Sequence, residues 1–333
     1  MTRRETAPRA AAQKEGRALW IEEAGRCALR QEKLPAACEG EVVVRTLYSG
    51  ISRGTESLVY SGQVPESEYE RMRAPHQAGQ FPFPVKYGYA AVGVVEEGPE
   101  QLAGKSVFCL HPHQDRFRMP VSAAHPLPED LPPHRAVLAA NMETALNITW
   151  DAGIQPGDRV TVFGAGVIGL LVAYLASRII GTDVVISDIE PKRAGTAKVL
   201  GLRFSSPDHV PHDCDVLINA SASADALATA LDHAGIEARI VEASWYGEKH
   251  VEIPLGGAFH AKRLSIVSSQ VASLPLGRRA RWDTRRRMRK ALQLLADDRL
   301  DHLISGETPF ETIAADYAGI IGSAATLCHR IKY

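Results

Sequence analysis

The sequence predicts an α/β fold in which a β-rich first part is followed by a doubly wound parallel sheet. Two observations lead to this prediction. Residues 17–48 and 90–110 contain short runs of apolar and β-branched side chains, which are typical of strands. From Asp158 onward, short apolar runs alternate with helical segments of roughly 10–14 residues, and this alternation is typical of βαβ units.

The first part contains four predicted strands, a long loop and one helix. A stretch rich in glycine and proline runs from Gly50 to Pro84, and loops of this length are usually functional. Apolar residues at helical spacing predict a helix over Ala136–Trp150. The predicted strands are Arg17–Ile21, Glu41–Leu47, Ala90–Glu96 and Lys105–Leu110.

The second part contains the alternating elements of the predicted parallel sheet and a short return segment. The predicted strands are Arg159–Phe163, Asp183–Ser187, Val216–Asn219, Ala238–Glu242, Leu264–Val271 and Thr326–Lys332. The predicted helices are Val167–Ile180, Pro191–Leu200, Ala224–His233 and Arg285–Ala296.

Length and composition limit the class of protein. A chain of 333 residues, 45% hydrophobic and 23% charged, is expected to form about two globular domains. A net charge of −1 argues against a protein whose main role is to coat nucleic acid. The five cysteines are scattered without a CxxC pair, which indicates a reducing compartment. Segment 1–17 has no apolar core, so we expect a solvated tail and a cytoplasmic protein.

A glycine-rich turn lies between a predicted strand and a predicted helix and matches G-x-G-x-x-G. Gly164 permits a tight turn, Gly166 lets the backbone approach a pyrophosphate, and Gly169 lets the helix pack closely on the strand. Free N–H groups at the helix start, where Val167 and Ile168 lie, favour an anion. The turn also interrupts the uncharged stretch 160–177, so we expect no membrane span.

Asp188 ends the next predicted strand, nineteen residues after Gly169. A carboxylate here accepts hydrogen bonds from the adenosine ribose and repels a 2′-phosphate, so NAD is expected in preference to NADP. Lys192 and Arg193 follow closely and weaken that preference, and Arg193 is itself a candidate for cofactor contact. Flavin is less favoured because the turn lies in the middle of the chain.

These features resemble the medium-chain dehydrogenase/reductase superfamily over nearly the whole chain. The resemblance is carried by PGDRVTVFGAGVIG (156–169), SGISRGTESLVYSG (49–62), KYGYAAVGVVEEG (86–98) and METAL (142–146). It implies a GroES-like catalytic domain from residues 1–144 and 282–333, interrupted by a Rossmann domain at 145–281. ISRGTE and RLSIVSSQV look like the bacteriochlorophyllide hydroxyethyl dehydrogenase branch, which oxidises a secondary alcohol to a ketone with NAD.

The zinc ligands of the superfamily are replaced in this chain. By resemblance, the cysteine, histidine and third ligand of the zinc-dependent members correspond to Ser52, Tyr89 and Ala140. Their structural zinc is held by four cysteines, where this chain has only Cys109. A hydroxyl, a phenol and a methyl group are poor zinc ligands. These substitutions predict a zinc-independent enzyme without a metal site.

A zinc-free site needs hydrogen-bond donors that polarise the substrate oxygen. Thr55 lies where the superfamily often has a hydroxyl proton relay, and Tyr89 can donate from its phenol. Ser52 occupies the vacated cysteine position, and Glu56 is expected to orient Thr55 or Arg53. An ordinary structural hydrogen bond is the alternative for each of these residues.

His111 and His113 are two residues apart on an extended segment, so they are expected to share one face. They are candidates for proton transfer or substrate contact, whereas a metal site there lacks a third ligand. Buried or surface histidines without a catalytic role are the alternative.

By resemblance, residues that follow the later strands line the nicotinamide half of the cofactor, because ligands bind beyond the carboxyl ends of parallel strands. Thr144 is expected to face the cofactor from the hinge helix. The other candidates are Ala220, Ser221, Ala243, Ser244 and Ser269.

Segment 278–290 contains eight basic residues in thirteen. We expect a solvated helix face, with Met288, Leu292 and Leu295 on the buried side. Nucleic acid, an anionic substrate or a membrane lipid are the alternative partners of this segment, and no nucleic-acid partner is predicted.

Three functions stay open at this point. The predicted one is a cytoplasmic, dimeric, zinc-independent oxidoreductase that transfers a hydride between NAD(H) and a small-molecule alcohol or ketone. A zinc-free quinone or enoyl reductase that uses NADPH is the second, and Asp188 argues against it. A non-catalytic dinucleotide-binding protein is the third.

Overall fold

A computed structural model describes residues 14–35 and 37–333, so most of the predicted N-terminal tail lies outside the described residues. The helices are α1 (Arg53–Tyr60), α2 (Pro133–Ala136), α3 (Ala139–Ala152), α4 (Val167–Ala176), α5 (Arg193–Val199), α6 (Ala224–His233), α7 (Thr284–Leu294) and α8 (Ile313–Gly322). The strands are β1 (Lys14–Glu23), β2 (Arg26–Leu34), β3 (Glu41–Ser52), β4 (Ala78–Gly79), β5 (Val85–Lys86), β6 (Ala91–Glu97), β7 (Ser106–Cys109), β8 (Arg116–Pro120), β9 (His125–Pro126), β10 (Arg159–Phe163), β11 (Asp183–Ser187), β12 (Arg203–Ser205), β13 (Cys214–Asn219), β14 (Ala234–Glu242), β15 (Ser265–Ser268), β16 (Ile304–Pro309) and β17 (Cys328–Lys332).

A parallel sheet of six strands forms the middle of the chain, in the order β12-β11-β10-β13-β14-β15. This is the strand order of the doubly wound dinucleotide-binding fold, so the predicted fold class is confirmed. Phe163 pairs with Ser187 on one side and with Asn219 on the other, and Asn219 pairs with Glu242. The carboxyl ends of the central strands therefore lie in one row at one edge of the sheet.

Strands from both ends of the chain form the β-rich part. One sheet has the order β2-β1-β5-β4, and the other has the order β16-β17-β3-β6-β7-β9, with β8 paired to β3. Because β16 and β17 join β3, the C-terminal segment returns to the part built by the N-terminal residues. Domain boundaries at residues 144 and 281 stay predictions.

The largest core cluster lies where the two parts meet. Helix α4 is apolar on all sides, and residues 169–176 are buried between the parallel sheet and α3. Helix α3 also packs against α7. Among the described residues, no helix is long and apolar enough to cross a membrane.

Several elements have the predicted bounds, and others differ. β10, β11 and α6 match the prediction residue for residue. The Gly50–Pro84 stretch is not a continuous loop, because α1 forms within it. The start of α1 is stabilised by the Glu56 carboxylate, which accepts a hydrogen bond from the Ser52 backbone N–H (2.7 Å). Helix α8 and strands β2 and β8 were not predicted.

Candidate active site

The glycine-rich turn between β10 and α4 leaves room for a phosphate group. Gly164 has φ +96°, and a Cβ there would lie 2.9 Å from the backbone of Ala220. A Cβ on Gly169 would lie 1.8 Å from the Gly164 carbonyl oxygen, so only glycine permits this helix–strand contact. A Cβ on Gly166 would meet nothing within 4 Å, and Val167 begins α4 beside it. The turn thus combines tight packing with an open approach to the helix N-terminus.

Asp188 lies beside this turn at the end of β11. Its Oδ2 accepts a hydrogen bond from the Ala165 backbone N–H (2.6 Å), and its Oδ1 accepts one from Glu190 N–H (2.8 Å). Two backbone donors therefore fix the carboxylate next to the glycines. Ile189 is 88% exposed, which gives the same edge an open apolar surface. Ile189 was not among the predicted site residues, although its position directly after Asp188 was a usable signal.

Arg193 lies on α5 and contacts backbone instead of facing solvent. Its guanidinium donates hydrogen bonds to the carbonyl oxygens of Ala324, Ala325 and Thr326, just before β17. Burial lowers the pKa of this guanidinium, and the nearby Asp188 carboxylate opposes that effect. Arg193 therefore joins the parallel sheet to the returning C-terminal segment, and its predicted contact with a cofactor stays a prediction.

The predicted cofactor residues after β13 and β14 come together at the carboxyl edge of the sheet. Ser221 Oγ donates to Asn219 Oδ1 (2.6 Å), and the Ser244 N–H donates to Glu242 Oε1 (2.8 Å). Asn219 Nδ2 in turn donates to Glu242 Oε2 (2.7 Å). Ala220 and Ala243 continue these two strand ends, and the Tyr246 hydroxyl completes the cluster. Sequence reasoning missed Asn219, Glu242 and Tyr246, because their pairing depends on the register of the two strands.

Helix α3 carries polar residues from the β-rich part to this sheet edge. Near its start, Asn141 Nδ2 donates to Ser52 Oγ (3.5 Å). Near its end, Asn147 Nδ2 lies 3.5 Å from Ser269 Oγ, which donates to Asp151 Oδ2 (2.6 Å). Thr144 is half-buried between them, and its hydroxyl donates to the carbonyl of Ala140 (3.0 Å).

Tyr89 lies near Ser52 and Thr55 in the structure. The nearby Ser52 and Thr55 side chains lower the pKa of the Tyr89 hydroxyl, but this effect is smaller than that of burial. Burial raises the pKa of Tyr89 to about 12, and the nearby Glu56 carboxylate adds to this shift. The phenol therefore keeps its proton at neutral pH and can donate it to an oxygen.

Glu56 anchors a buried polar network behind these hydroxyls. Its Oε2 accepts hydrogen bonds from His113 Nε2 (2.9 Å) and from the Tyr317 hydroxyl (2.7 Å). His113 Nδ1 lies 2.8 Å from Ser49 Oγ, which lies 2.9 Å from the Tyr333 hydroxyl. Glu56 does not contact Thr55 or Arg53 through a hydrogen bond of its side chain; its carboxylate fixes the Ser52 backbone instead. Burial raises the pKa of both Tyr317 and Tyr333.

His111 has different surroundings from His113. Its ring stacks on Phe117 with centroids 3.7 Å apart, and its Nδ1 donates to the Pro112 carbonyl (3.0 Å). Burial lowers the pKa of His111 well below its usual range, so the ring is neutral at pH 7. The two imidazoles make no hydrogen bond to a shared partner.

The donors at the vacated zinc positions do not form a metal-binding group. Ser52 and Tyr89 offer a hydroxyl and a phenol, and the third position is Ala140. Across residues 14–35 and 37–333, no group of three or more His, Cys, Asp or Glu is arranged to hold a metal ion.

Comparisons with known proteins give a consistent fold. No family model matches the chain. It is 22% identical to an uncharacterized zinc-type alcohol dehydrogenase-like protein of Haemophilus influenzae, over 89% of this chain and 92% of that protein. An alcohol dehydrogenase from Escherichia coli CFT073, solved with NADH, superposes with a TM-score of 0.77 at 18% identity, over 96% of this chain and 99% of that one. A putative zinc-binding dehydrogenase from Sinorhizobium meliloti, bound to NADP, gives 0.77 at 18% identity, over 96% and 100%.

These comparisons correct the expectation about zinc. The replaced ligands predicted that this chain binds no zinc. The relative from H. influenzae is described as zinc-type, and the neighbour from S. meliloti is described as zinc-binding. The prediction of no zinc is therefore wrong. The neighbour from E. coli holds NADH, and the neighbour from S. meliloti holds NADP.

Proposed function

We propose that this chain, a member of the medium-chain dehydrogenase/reductase superfamily, transfers a hydride between NAD(H) and a secondary alcohol or its ketone. One observation carries the proposal. Helix α3 links the protonated Tyr89 hydroxyl cluster, through Asn141, to the carboxyl edge of the parallel sheet, through Asn147 and Ser269. Ligands of this sheet type bind beyond that edge.

The residues around the glycine-rich turn fit a nicotinamide dinucleotide. Gly166 and the start of α4 would hold the pyrophosphate, and Asp188 would accept hydrogen bonds from the adenosine ribose. The exposed Ile189 would cover the adenine. The fixed carboxylate of Asp188 would repel a 2′-phosphate, which supports NAD over NADP. When bound, the nicotinamide supplies or accepts the hydride.

On the β-rich side, Tyr89 would bind the substrate oxygen. Its phenol keeps its proton at neutral pH and lies beside Ser52 and Thr55, so it can stabilise the charge that develops on that oxygen. Glu56 would act as a positioning residue, because it holds the Ser52 backbone and the start of α1.

The proposal includes a homodimeric assembly and a cytoplasmic location in the cell. β15 is the edge strand of the parallel sheet, so two copies can pair there across a two-fold axis to form a homodimer. All five cysteines are free, which suits a reducing cytoplasm. The proposed catalytic domain comprises residues 1–144 and 282–333, and the proposed cofactor domain comprises residues 145–281.

Oxidation of NADH in the presence of a panel of secondary ketones tests the proposal. We expect turnover with at least one ketone, and Tyr89→Phe should lower kcat about 100-fold while NADH affinity stays unchanged. Tyr48→Phe is the matched control, since the Tyr48 ring lies under Arg330 (5.0 Å) and its hydroxyl has no assigned role. Turnover of quinones or enoyl substrates with NADPH in place of ketones would contradict the proposal. Binding of NADH without turnover would favour a non-catalytic dinucleotide-binding protein.

A further inference from the structure

Seven cationic side chains of segment 278–290 have no carboxylate partner among the described residues. The eighth, Arg287, is buried in an ion pair with Glu143 (3.0 Å) and belongs to the core. The single acidic residue of the segment, Asp283, accepts a hydrogen bond from the Arg286 backbone N–H (2.6 Å). The seven side chains, which we name the basic surface, are Arg278, Arg279, Arg281, Arg285, Arg286, Arg289 and Lys290.

Helix α7 presents four of these side chains on one face. Arg285 and Arg289 are four residues apart, as are Arg286 and Lys290, so their side chains are neighbours on the helix. Met288 and Ala291 are buried on the opposite face. The charges are therefore concentrated on the solvent side, where no described acidic group forms an ion pair with them.

Two tryptophans in contact join the preceding loop to α3 and to this helix. The Arg278 guanidinium lies 5.1 Å from the Trp150 ring, and the Arg286 guanidinium lies 4.1 Å from the Trp282 ring. The two tryptophan rings are 4.7 Å apart. Arg286 also donates a hydrogen bond to the carbonyl of Arg281. The loop and the helix thus form one continuous cationic surface.

Leu276 lies in the same loop and is 82% exposed. An apolar side chain beside clustered arginines combines two signals for attachment to a lipid surface, electrostatic attraction and insertion of apolar atoms. The proposed active site lies at the sheet edge and around Tyr89, and it needs neither the clustered arginines nor the exposed leucine.

We propose that the basic surface docks this protein on the anionic headgroups of a phospholipid bilayer, with Leu276 entering the interfacial layer. Guanidinium groups form paired hydrogen bonds with phosphate oxygens, and clusters of four to eight Lys or Arg attract anionic lipids. Single-stranded nucleic acid is disfavoured, because base stacking needs open aromatic faces and guanidinium groups cover Trp150 and Trp282. A second copy is disfavoured because two basic surfaces repel each other.

Sedimentation of the full chain with vesicles tests this proposal. Phosphatidylcholine vesicles with and without about one third phosphatidylglycerol are compared at low and high NaCl. We expect binding only to the anionic vesicles, with loss at high salt. The triple variant Arg281→Gln, Arg285→Gln and Arg289→Gln should lower the vesicle partition coefficient at least tenfold. Among the described residues, these three guanidinium groups make no hydrogen bond or ring stack, so the fold is expected to persist.

A matched control removes the same charge elsewhere. Arg71, Arg203 and Arg263 are exposed and paired with Glu68, Asp183 and Glu237. Their triple replacement by Gln should change partitioning less than twofold, and Leu276→Ser should lower it severalfold. Equal losses in both triple variants would overturn the proposal, because net charge would then explain the binding. Failure of the wild-type chain to bind anionic vesicles, or its displacement from them by a single-stranded oligonucleotide that it binds more tightly, would also overturn it.

Discussion

Replacing Gly169 with alanine places a methyl group inside an existing backbone contact. The new Cβ would lie 1.8 Å from the Gly164 carbonyl oxygen, whereas real Cβ atoms essentially never come closer than 3.0 Å to such an atom. Helix α4 therefore has to move away from β10 by roughly 1 Å. Because α4 is buried against the parallel sheet, we expect a loss of about 3 kcal/mol in the free energy of unfolding.

The same displacement alters the proposed cofactor site. The start of α4 would move relative to Gly166, so NADH affinity should fall about tenfold or more. Urea unfolding and titration of NADH fluorescence measure the two effects. Gly319→Ala on α8 is the control, because its new Cβ meets nothing within 4 Å and alanine favours a helix by about 0.5–1 kcal/mol. Wild-type stability and NADH affinity in Gly169→Ala would refute the reasoning.

Three further outcomes are expected. Asp188→Asn removes the charge that would repel a 2′-phosphate, so the ratio of the NADPH to the NADH dissociation constant should fall at least tenfold. Fluorescence titrations measure both constants, and an unchanged ratio would show that the ribose contact is misplaced. Arg287→Met leaves the buried Glu143 carboxylate unpaired and should lower the free energy of unfolding, measured in urea, by about 3–5 kcal/mol. The exposed control Arg263→Gln should lower it by less than about 1 kcal/mol. Equal losses in the two variants would contradict this prediction. Burial lowers the pKa of His125 from 6.5 to about 4, so the folded state favours the neutral ring and should lose up to about 3 kcal/mol as pH falls from 6.5 to 4. His125→Gln should flatten this part of the stability profile, and an identical profile in both proteins would exclude His125 as its source.

Local patterns predicted the parallel sheet well. β10 and β11 are short apolar runs bounded by turn residues, and the glycine-rich turn constrains the start of α4, so these elements could be located from the sequence. Helix α1 was missed because Gly54 and the surrounding serines suggest a loop. The side chain of the fourth helical residue, Glu56, stabilises its first turn.

The buried network around Glu56 could not be predicted from local patterns. Tyr317 reaches Glu56 across 261 residues of sequence, and Tyr333 reaches Ser49 across 284. Such partners are identified only when β17 pairs with β3 and α8 packs near α1. By contrast, Tyr89, Ser52 and Thr55 were expected together, because the resemblance placed Ser52 and Tyr89 at positions that share a zinc ion in the zinc-dependent members.

The expectation of no zinc considered only a few positions of the chain. It rested on three replaced ligands, while the similarity to a zinc-type protein extends over 89% of the chain. Side chains at a few positions therefore describe the donors that are present, and they do not define the cofactor requirements of the whole protein.

Transfer of deuterium from NADH labelled at nicotinamide C4 tests the central claim most directly. The purified protein is incubated with the labelled cofactor and a panel of secondary ketones, and the alcohol products are analysed by mass spectrometry. Hydride transfer at this site predicts one deuterium on the carbinol carbon of at least one product, with about 100-fold slower incorporation in Tyr89→Phe. Tight NADH binding with no deuterium in any alcohol would contradict the account.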